Sequence, residues 1–387
     1  MKYRVTCLTP TLVGDGQKLA PIDYMVWKDH INVLDQQRIF RLLSKGPRLE
    51  GYLQQLKKAD KLDFHSWGGF AQNFAGRRVA FVDPSHAIPV WEKEPSFNLH
   101  VPTFAASASG PYLPATSIKG ALRTGAVFER WSDATLHDLA NRLGLNDSES
   151  ARLPRNASLK AEESAIGAGA KNRMRALRAG DTGPVGYDAM RIYLLRTATL
   201  VPPPRNPKAR AATSSPAGSY QLGWKSIRGS VEARRVDEAT PTFAEMAAPG
   251  TSFEGAWHES AESDRVKLFR AANKYAVAQL AQHSLYAEWT GLTPVADSLR
   301  TLDAKVADLA HRDDACLLSI GWGAGMLSKL SVNDTGSPEF RNIVRRVGVY
   351  GKAVRTGMPF PKTRRVIFES GQASHLPGWI LLEVIAS

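Results

Sequence analysis

The sequence has only two cysteines and no long uninterrupted apolar run. Cys7 and Cys316 lie far apart in the 387 residues, which excludes a disulfide framework and a zinc ribbon. No segment approaches the roughly 20 apolar residues that a bilayer-spanning helix needs, and polar residues and proline interrupt the N-terminal stretch too early for a signal peptide. We therefore expect a soluble, cytoplasmic protein that does not enter a membrane.

Acidic residues are scarce relative to basic ones. The chain has 37 Asp and Glu against 50 Lys and Arg, a formal net charge of +13. An excess of this size favours a polyanionic partner such as RNA, DNA or an anionic membrane surface. The length and the 43% hydrophobic content are sufficient for one large domain or two smaller ones with real cores.

Patterns for catalysis or for cofactor binding are weak. The nine histidines lack metal-ligand spacing, so we expect no metal and no cofactor, although His30 or His65 remains open as a general base for RNA cleavage. Asp15 lies between glycines and could either bind a metal or make a turn. The loop Gly321–Gly325 reads G-x-G-x-G, which fits neither the dinucleotide nor the Walker spacing. That loop suits a polynucleotide backbone or a purely structural turn.

Strand-like and helix-like patterns mix along the chain, which indicates an α+β layer architecture. The longest helical stripe of apolar residues runs over Val266–Trp289, and Asp35 is the expected N-cap of an earlier helix. A Pro-, Ala- and Ser-rich stretch after residue 200 resembles a linker. We therefore predict an N-terminal domain over 1–200, with a helical insertion at 133–183 outside the core, and a C-terminal domain over 201–387.

The stretch GPYLPATSIKGALRTG places two cations one turn apart at the start of a predicted helix. Thr116 or Ser117 is the expected N-cap. Lys119 and Arg123 repel each other and lie near the end where the helix dipole disfavours cations. A bound phosphate would relieve both repulsions, and Gly120 would allow its close approach. A solvated basic helix is the alternative.

The segment between residues 340 and 368 has eight cations and no acidic residue. Aromatic residues and glycines are interleaved with them, a pattern typical of single-stranded nucleic-acid binding, where cations follow phosphates and aromatic rings stack on bases. A solvated basic loop or a protein contact is the alternative. The predicted RNA contacts in this segment are Arg345, Arg346, Lys352 and Arg355.

Three stretches together resemble the RAMP superfamily of CRISPR-associated proteins. They are an early LTPTLVGDGQKLAPIDYMVWKDHINVLD, a central PYLPATSIKGALRTG, and a late IGWGAGMLSKL that precedes LPGWILLEV. Their order and spacing are most similar to the Csm-type subunit that caps the 3′ end of the guide RNA in type III-A effector complexes. The resemblance implies an α+β RAMP fold of two RRM-like, ferredoxin-type modules with helical and loop insertions.

The resemblance also implies a function. It predicts a non-catalytic ribonucleoprotein subunit that binds guide (CRISPR) RNA, contacts the backbone RAMP subunit and the small helical subunit, and meets target RNA only indirectly. It further implies a role in guide RNA maturation and antiviral defence, together with trimming nucleases of the host. A RAMP endoribonuclease that processes precursor guide RNA, another architectural RAMP subunit and a phosphate-cofactor enzyme remain alternatives. The RNA-binding residues that the resemblance implies are Ser117, Lys119, Gly120, Arg123, Gly321, Gly323, Gly325 and Lys329.

Overall fold

The structure is a computed structural model. It describes residues 1–58, 61–62, 73–142, 162–163, 166–175, 177–202, 220–226, 233–259, 262–331, 335–346, 350–351, 354 and 358–385.

Antiparallel strands form two five-stranded sheets and three smaller ones within the described residues. The strands are β1 Lys2–Cys7, β2 Lys18–Leu19, β3 Tyr24–Trp27, β4 His30–Leu34, β5 Ala75–Ala80, β6 Val101–Pro102, β7 Ala106–Ser107, β8 Gly110–Pro111, β9 Leu177–Ala179, β10 Met190–Val201, β11 Gln221–Trp224, β12 Thr242–Ala247, β13 Ser252–Glu259, β14 Ala315–Ser319, β15 Thr363–Glu369, β16 Gln372–His375 and β17 Trp379–Ile385.

Helices pack on these sheets, which confirms the predicted α+β class. In the part of the chain that the structure describes, none of them is long and apolar enough to cross a bilayer. The helices are α1 Gln36–Leu43, α2 Arg48–Lys58, α3 Pro84–Lys93, α4 Ala115–Arg130, α5 Asp133–Arg142, α6 Glu262–Thr290, α7 Thr293–Asp308 and α8 Pro338–Arg345.

The first sheet combines strands from both ends of the chain. Its order is β14-β17-β1-β13-β9, with β1 at the centre. Val5 pairs with Phe253 on one side and with Leu382 on the other, and alternate residues of β1 are buried, as expected for a strand with one face on the core. Strands from before and after residue 200 therefore share this sheet. The predicted division into two domains at residue 200 stays a prediction.

The second sheet is built around β10, a strand of 12 residues. One edge of β10 pairs with β12 and then with β11, and the other edge pairs with β15, which in turn pairs with β16. Nearly every residue of β10 is buried. The strand is therefore covered on both faces, which explains its almost continuous apolar sequence.

Helix α6 connects α4 to the first sheet. Its Asn273 side chain accepts a hydrogen bond from the Leu317 N–H (2.9 Å) and donates one to the Ala315 carbonyl (3.3 Å), so it satisfies the free edge of β14. On its other side, α6 lies so close to α4 that a Cβ added at Gly125 would be 2.8 Å from the Ala272 Cα. The predicted helix over Val266–Trp289 is confirmed.

The sheet β3-β4-β5 and helices α1 and α2 enclose a separate small core. Asp35 accepts a hydrogen bond from the Arg38 N–H at 2.9 Å, which confirms it as the N-cap of α1. This small unit is tied to the second sheet by an ion pair of 2.7 Å between Arg77 and the buried Glu245. Burial raises the pKa of Glu245, and the Arg77 guanidinium counteracts that shift.

The predicted insertion at 133–183 contributes to the main core. Ile166, Met174 and Leu177 are buried in it, so the expectation that this segment lies outside the core is wrong for these residues. Their apolar side chains fill the space beside α4 and β13, although the surrounding Gly-, Ala- and Arg-rich sequence gives no such indication. Residues 143–161 of the insertion lie outside the described residues.

Candidate nucleic-acid interface

A groove of about 550 Å³ lies where four parts of the chain meet. They are the segment from the loop after β1 to β2, the end of β6, the first turns of α4 and the glycine loop after β14. Two lysines, Lys18 and Lys329, line the groove, and no acidic residue of the described chain does. Six hydroxyl side chains line it as well: Thr103, Thr116, Ser117, Thr124, Ser319 and Ser328.

The glycine loop is held directly against the loop after β1. The Trp322 N–H donates a hydrogen bond of 2.7 Å to the Leu12 carbonyl. Gly321 has φ +82°, and a Cβ at this position would be 2.2 Å from the same Leu12 oxygen. Only glycine fits there, so the structural-turn interpretation holds for Gly321, which also lines the groove.

The start of α4 differs from the prediction. The helix begins at Ala115, whose N–H donates a hydrogen bond of 2.8 Å to the Asp181 carboxylate. The expectation that Thr116 or Ser117 is the N-cap is therefore wrong, because the helix starts earlier and a distant aspartate supplies the capping oxygen. Thr116 and Ser117 lie in the first turn and line the groove instead.

Gly120 presents open space on the groove side of α4. It is exposed, and a Cβ added there would have no protein atom within 4 Å outside the helix's own neighbouring backbone. A glycine within a helix costs roughly 0.5–1 kcal/mol relative to alanine. Packing among the described residues gives no reason for this cost, and contact of Gly120 with RNA stays a prediction.

Lys119 and Arg123 lie on α4 but are not among the residues that line the groove. Arg123 forms an ion pair with Glu162, so a carboxylate of the chain itself compensates one of the two cations. Lys119 is half-buried and forms no ion pair with any described residue. Contact of either side chain with RNA stays a prediction.

Groove residues that the sequence pattern did not single out include Lys18 and Trp322. Lys18 is exposed and, like Lys329, forms no ion pair with residues the structure describes. The Arg365 guanidinium lies over the Trp322 ring at 4.0 Å. Lys18 belongs to VGDGQK and Trp322 to GWGAG, two stretches that carry the family resemblance. Membership of these motifs was the sequence signal that could have identified both residues.

The other two glycines of the glycine loop do not line the groove. Gly323 is buried, and a Cβ there would be 2.8 Å from Pro377 Cγ. Gly325 is exposed, with its own backbone at φ +84°. Gly323 therefore has a packing role, and the predicted RNA contacts of both glycines remain predictions.

Several cations of the acid-free segment are used inside the protein. The buried Arg364 donates a hydrogen bond of 3.0 Å from Nε to His283 Nδ1 and lies over the Tyr286 ring at 4.6 Å. Burial lowers the pKa of Arg364 to about 10 and, with the Arg364 charge, lowers the pKa of His283 well below its usual value. Arg341 donates to the carbonyl of Val354 at 2.9 Å. Arg341 and Arg364 therefore contact other groups of the protein itself, as in the protein-contact alternative for this segment.

Of the four predicted RNA contacts in that segment, the structure describes Arg345 and Arg346, and neither lines the groove. Arg345 is exposed at the end of α8, and Arg346 is half-buried as its C-cap. Lys352 and Arg355 lie outside the described residues. Contact of these four cations with RNA stays a prediction.

The candidate catalytic residues are dispersed. Asp15 accepts a hydrogen bond of 3.0 Å from the Gln17 N–H, which favours the turn interpretation. His30 pairs with Asp29 at 2.7 Å on the β3-β4 hairpin, away from the groove lining. No cluster of three or more His, Cys, Asp or Glu side chains suited to a metal ion occurs in the described part of the chain. His65 lies outside that part.

Two solved structures share this architecture. One is a chain of a cryo-EM structure of a Csm-crRNA-target RNA ternary complex in a type III-A CRISPR-Cas system, with a TM-score of 0.63, 18% identity and coverage of 99% of this chain and 100% of that chain. The other is the crystal structure of T. onnurineus Csm5, with a TM-score of 0.59, 15% identity and coverage of 97% and 99%. The fold is therefore that of proteins found in Csm structures.

The sequence comparison identifies the family. The profile of the RAMP superfamily matches residues 4–265. The chain belongs to the RAMP superfamily, and the predicted resemblance and fold are confirmed. A search of curated proteins found no match.

Gly321 and Gly325 of the glycine loop should respond differently to alanine. Gly325→Ala adds only the cost of a left-handed backbone, about 1–2 kcal/mol, because no protein atom is closer than 4.0 Å to the new Cβ. Gly321→Ala adds the clash with Leu12 and should cost about 3 kcal/mol or more. Urea denaturation of both variants measures the difference, and equal losses would show that Leu12 does not constrain the loop.

Proposed function

We propose that this protein is an RNA-binding subunit of a type III-A (Csm) CRISPR effector complex. In this proposal it holds the guide RNA near its 3′ end, ends the filament of backbone RAMP subunits and takes part in guide RNA maturation. The observation that carries the proposal is the groove, in which all three resemblance motifs meet around six hydroxyls and two lysines that form no ion pair with the described residues, and whose described lining has no acidic residue. Membership of the RAMP superfamily and the likeness to Csm structures support this kind of complex.

The side chains of the groove suit the backbone of RNA rather than its base sequence. Lysine ammonium groups are hydrated point charges that bind phosphate oxygens, and Ser and Thr hydroxyls bind phosphate or the 2′-hydroxyl as donors or acceptors. Trp322 adds one aromatic ring at the groove wall. A subunit that grips the backbone leaves sequence reading to base pairing of the guide, as in other RNA-guided systems.

We assign no catalytic step to the groove. Hydroxyl and ammonium groups bind phosphates, but neither is a general base at neutral pH without an activating neighbour. The proposed partners are the guide RNA, the adjacent backbone RAMP subunit and the small helical subunit, while trimming of the guide 3′ end is left to nucleases of the host. Removal of either lysine should therefore change affinity and not a cleavage rate.

Replacing both groove lysines should weaken RNA binding and its salt dependence. For Lys18→Ala with Lys329→Ala we expect about a ten-fold lower affinity for single-stranded RNA at physiological salt. The slope of log K against log salt should become smaller by about 1.4, because each phosphate contact on a single strand contributes about 0.7. Fluorescence anisotropy titrations between 50 and 300 mM KCl, about the range over which such slopes are resolved, provide the measurement.

The matched control is Lys2→Ala. Lys2 is an exposed cation at the end of β1 opposite to the groove, so its removal changes net charge by one without touching the groove. An unchanged slope in the double variant, or an equal effect per charge from Lys2→Ala, would show that RNA binding follows net charge and not this groove.

Gly120→Ala should separate stability from binding. With no protein atom near the new methyl group, we expect the free energy of unfolding to rise by about 0.5–1 kcal/mol, while RNA affinity falls because the methyl group occupies the space of the RNA backbone. Gly125→Ala, on the same helix, should lose about 1–3 kcal/mol by overpacking against Ala272 and leave the affinity of the folded protein unchanged. An unchanged affinity in Gly120→Ala would argue against RNA at this face of α4.

Crosslink mapping on guide RNA tests the position along the guide. Purified protein is mixed with guide RNA carrying a photoreactive nucleotide near either the 3′ or the 5′ end, with and without divalent metal. We expect crosslinks only in the 3′ region and no cleavage. Crosslinks to the 5′ handle would indicate another architectural RAMP subunit, and a defined cut that is lost in His30→Ala or His65→Ala would indicate an endoribonuclease.

A further inference from the structure

A second hollow, of about 500 Å³, lies beyond the groove. It is formed by the segment after β2, the C-terminal end of α2 and the segment before β6. The lining residues that matter here are Pro21, Lys58, Pro95, Phe97 and His100.

Phe97 is unusually exposed for an aromatic residue. Its exposed fraction is 67%, the largest among the exposed large apolar side chains of the described residues. A Phe side chain left in water forgoes about 1.5–3 kcal/mol of burial free energy. The ring lines a concave surface, where a planar ligand could cover it.

The backbone around Phe97 is held rigidly. Phe97 lies in a single 3₁₀ turn, Ser96–Asn98, closed by a hydrogen bond of 3.0 Å from the Leu99 N–H to the Ser96 carbonyl. Leu99 is fully buried, and its carbonyl accepts a hydrogen bond of 2.7 Å from the Tyr24 hydroxyl. The turn therefore holds the Phe97 ring outside the core while its neighbour anchors the chain.

The described lining of the hollow includes one lysine. Lys58 is exposed and forms no ion pair within the described residues, and His100 is exposed on the opposite segment. The described residues that line the hollow include no acidic side chain. An exposed aromatic ring beside a free cation is the combination that binds single-stranded nucleic acid, with the ring under a base and the cation at a phosphate.

A short two-stranded ribbon lies between the groove and the hollow. Lys18 of β2 pairs with Pro102 of β6, and both line the groove. Ala20 directly follows β2, His100 directly precedes β6, and both line the hollow. Since an extended strand rises about 3.3 Å per residue, the two sites are only about 7 Å apart along the ribbon. An RNA strand that passes Lys18 in this direction reaches Phe97.

We propose that Phe97 is a stacking platform for an unpaired base of the RNA strand bound in the groove, with Lys58 at the neighbouring phosphate. This inference rests on the proposed function, because it takes the groove as the site of the RNA backbone. The proposed occupant is an RNA base, because the most exposed apolar group of the hollow is an aromatic ring and the same lining supplies a lysine; Ala20, Ile22 and two prolines complete its apolar lining. RNA bound in this way would contact Phe97 and Lys58, which lie outside the three resemblance motifs.

A length series of RNA tests the proposal. Affinities of labelled oligoadenylates of increasing length are measured by fluorescence anisotropy for the wild type and for Phe97→Ala. The wild type should gain affinity in a step once the strand spans both groove and hollow. Phe97→Ala should lose that step, a decrease of about five-fold or more for long strands, and bind short strands as the wild type does. Phe97→Tyr should keep the step, because its ring still stacks.

The controls separate this proposal from the proposed function. Phe40→Ala removes another exposed Phe ring, on α1 and outside the hollow, and should leave all affinities unchanged. Suppose that binding of short strands requires Lys18 and Lys329, but Phe97→Ala leaves the affinity unchanged for RNA of every length. Then the stacking site is overturned and the proposed function is not. If Phe97→Ala weakens association with other subunits and not RNA binding, the hollow is a protein interface and the proposal is wrong. If no RNA binds through the groove lysines, both proposals fail.

Discussion

The backbone hydrogen bond from Trp322 to Leu12 is the contact on which the candidate interface depends. It joins two loops that are distant in sequence, and it forms only because β1 lies near β14 in one sheet, with β17 between them. The register of that sheet fixes where each loop leaves it, and a shift of one residue would turn every side chain to the other face. Gly321 then allows the loops to meet, so sheet register and one glycine together define the groove wall.

The cations of this chain divide into two groups with different environments. Arginines such as Arg77 and Arg364 are used inside the fold, where their planar guanidinium groups stack on Tyr187 and Tyr286 and donate hydrogen bonds or form ion pairs. The groove instead presents lysines. Guanidinium tolerates burial because it is weakly hydrated and makes several directed contacts, whereas an ammonium group keeps its hydration and serves as a point charge for phosphate. The net charge of +13 therefore overstates the charge available to a ligand.

Local signals were readable from the sequence, and distant partners were not. The Asp35 cap of α1 and the long helix α6 are correct because a cap and an apolar stripe depend on residues within a few positions of each other. The carboxylate that caps α4 belongs to Asp181, which is 66 residues after Ala115 in the sequence. No local sequence pattern predicts this contact. Lys18 belongs to a strand of only two residues, too short for any periodicity, so its place in the resemblance motif VGDGQK was the only indication of the groove wall that it forms.

Under the proposed function, Asp181 disfavours a phosphate at the N-terminal end of α4. The Asp181 carboxylate already accepts the Ala115 N–H there, and Arg123, about two turns further along the helix, already pairs with Glu162. The lateral face is different. Thr116, Gly120 and Thr124 are spaced four residues apart, which places them on one stripe of the helix, and all three line the groove that Lys329 also lines. Under the proposed function, a phosphate that approaches across Gly120 meets the Thr116 hydroxyl, the Lys329 ammonium group and no carboxylate among the described lining residues, while the Thr124 hydroxyl donates a hydrogen bond of 2.8 Å to the Gly120 carbonyl.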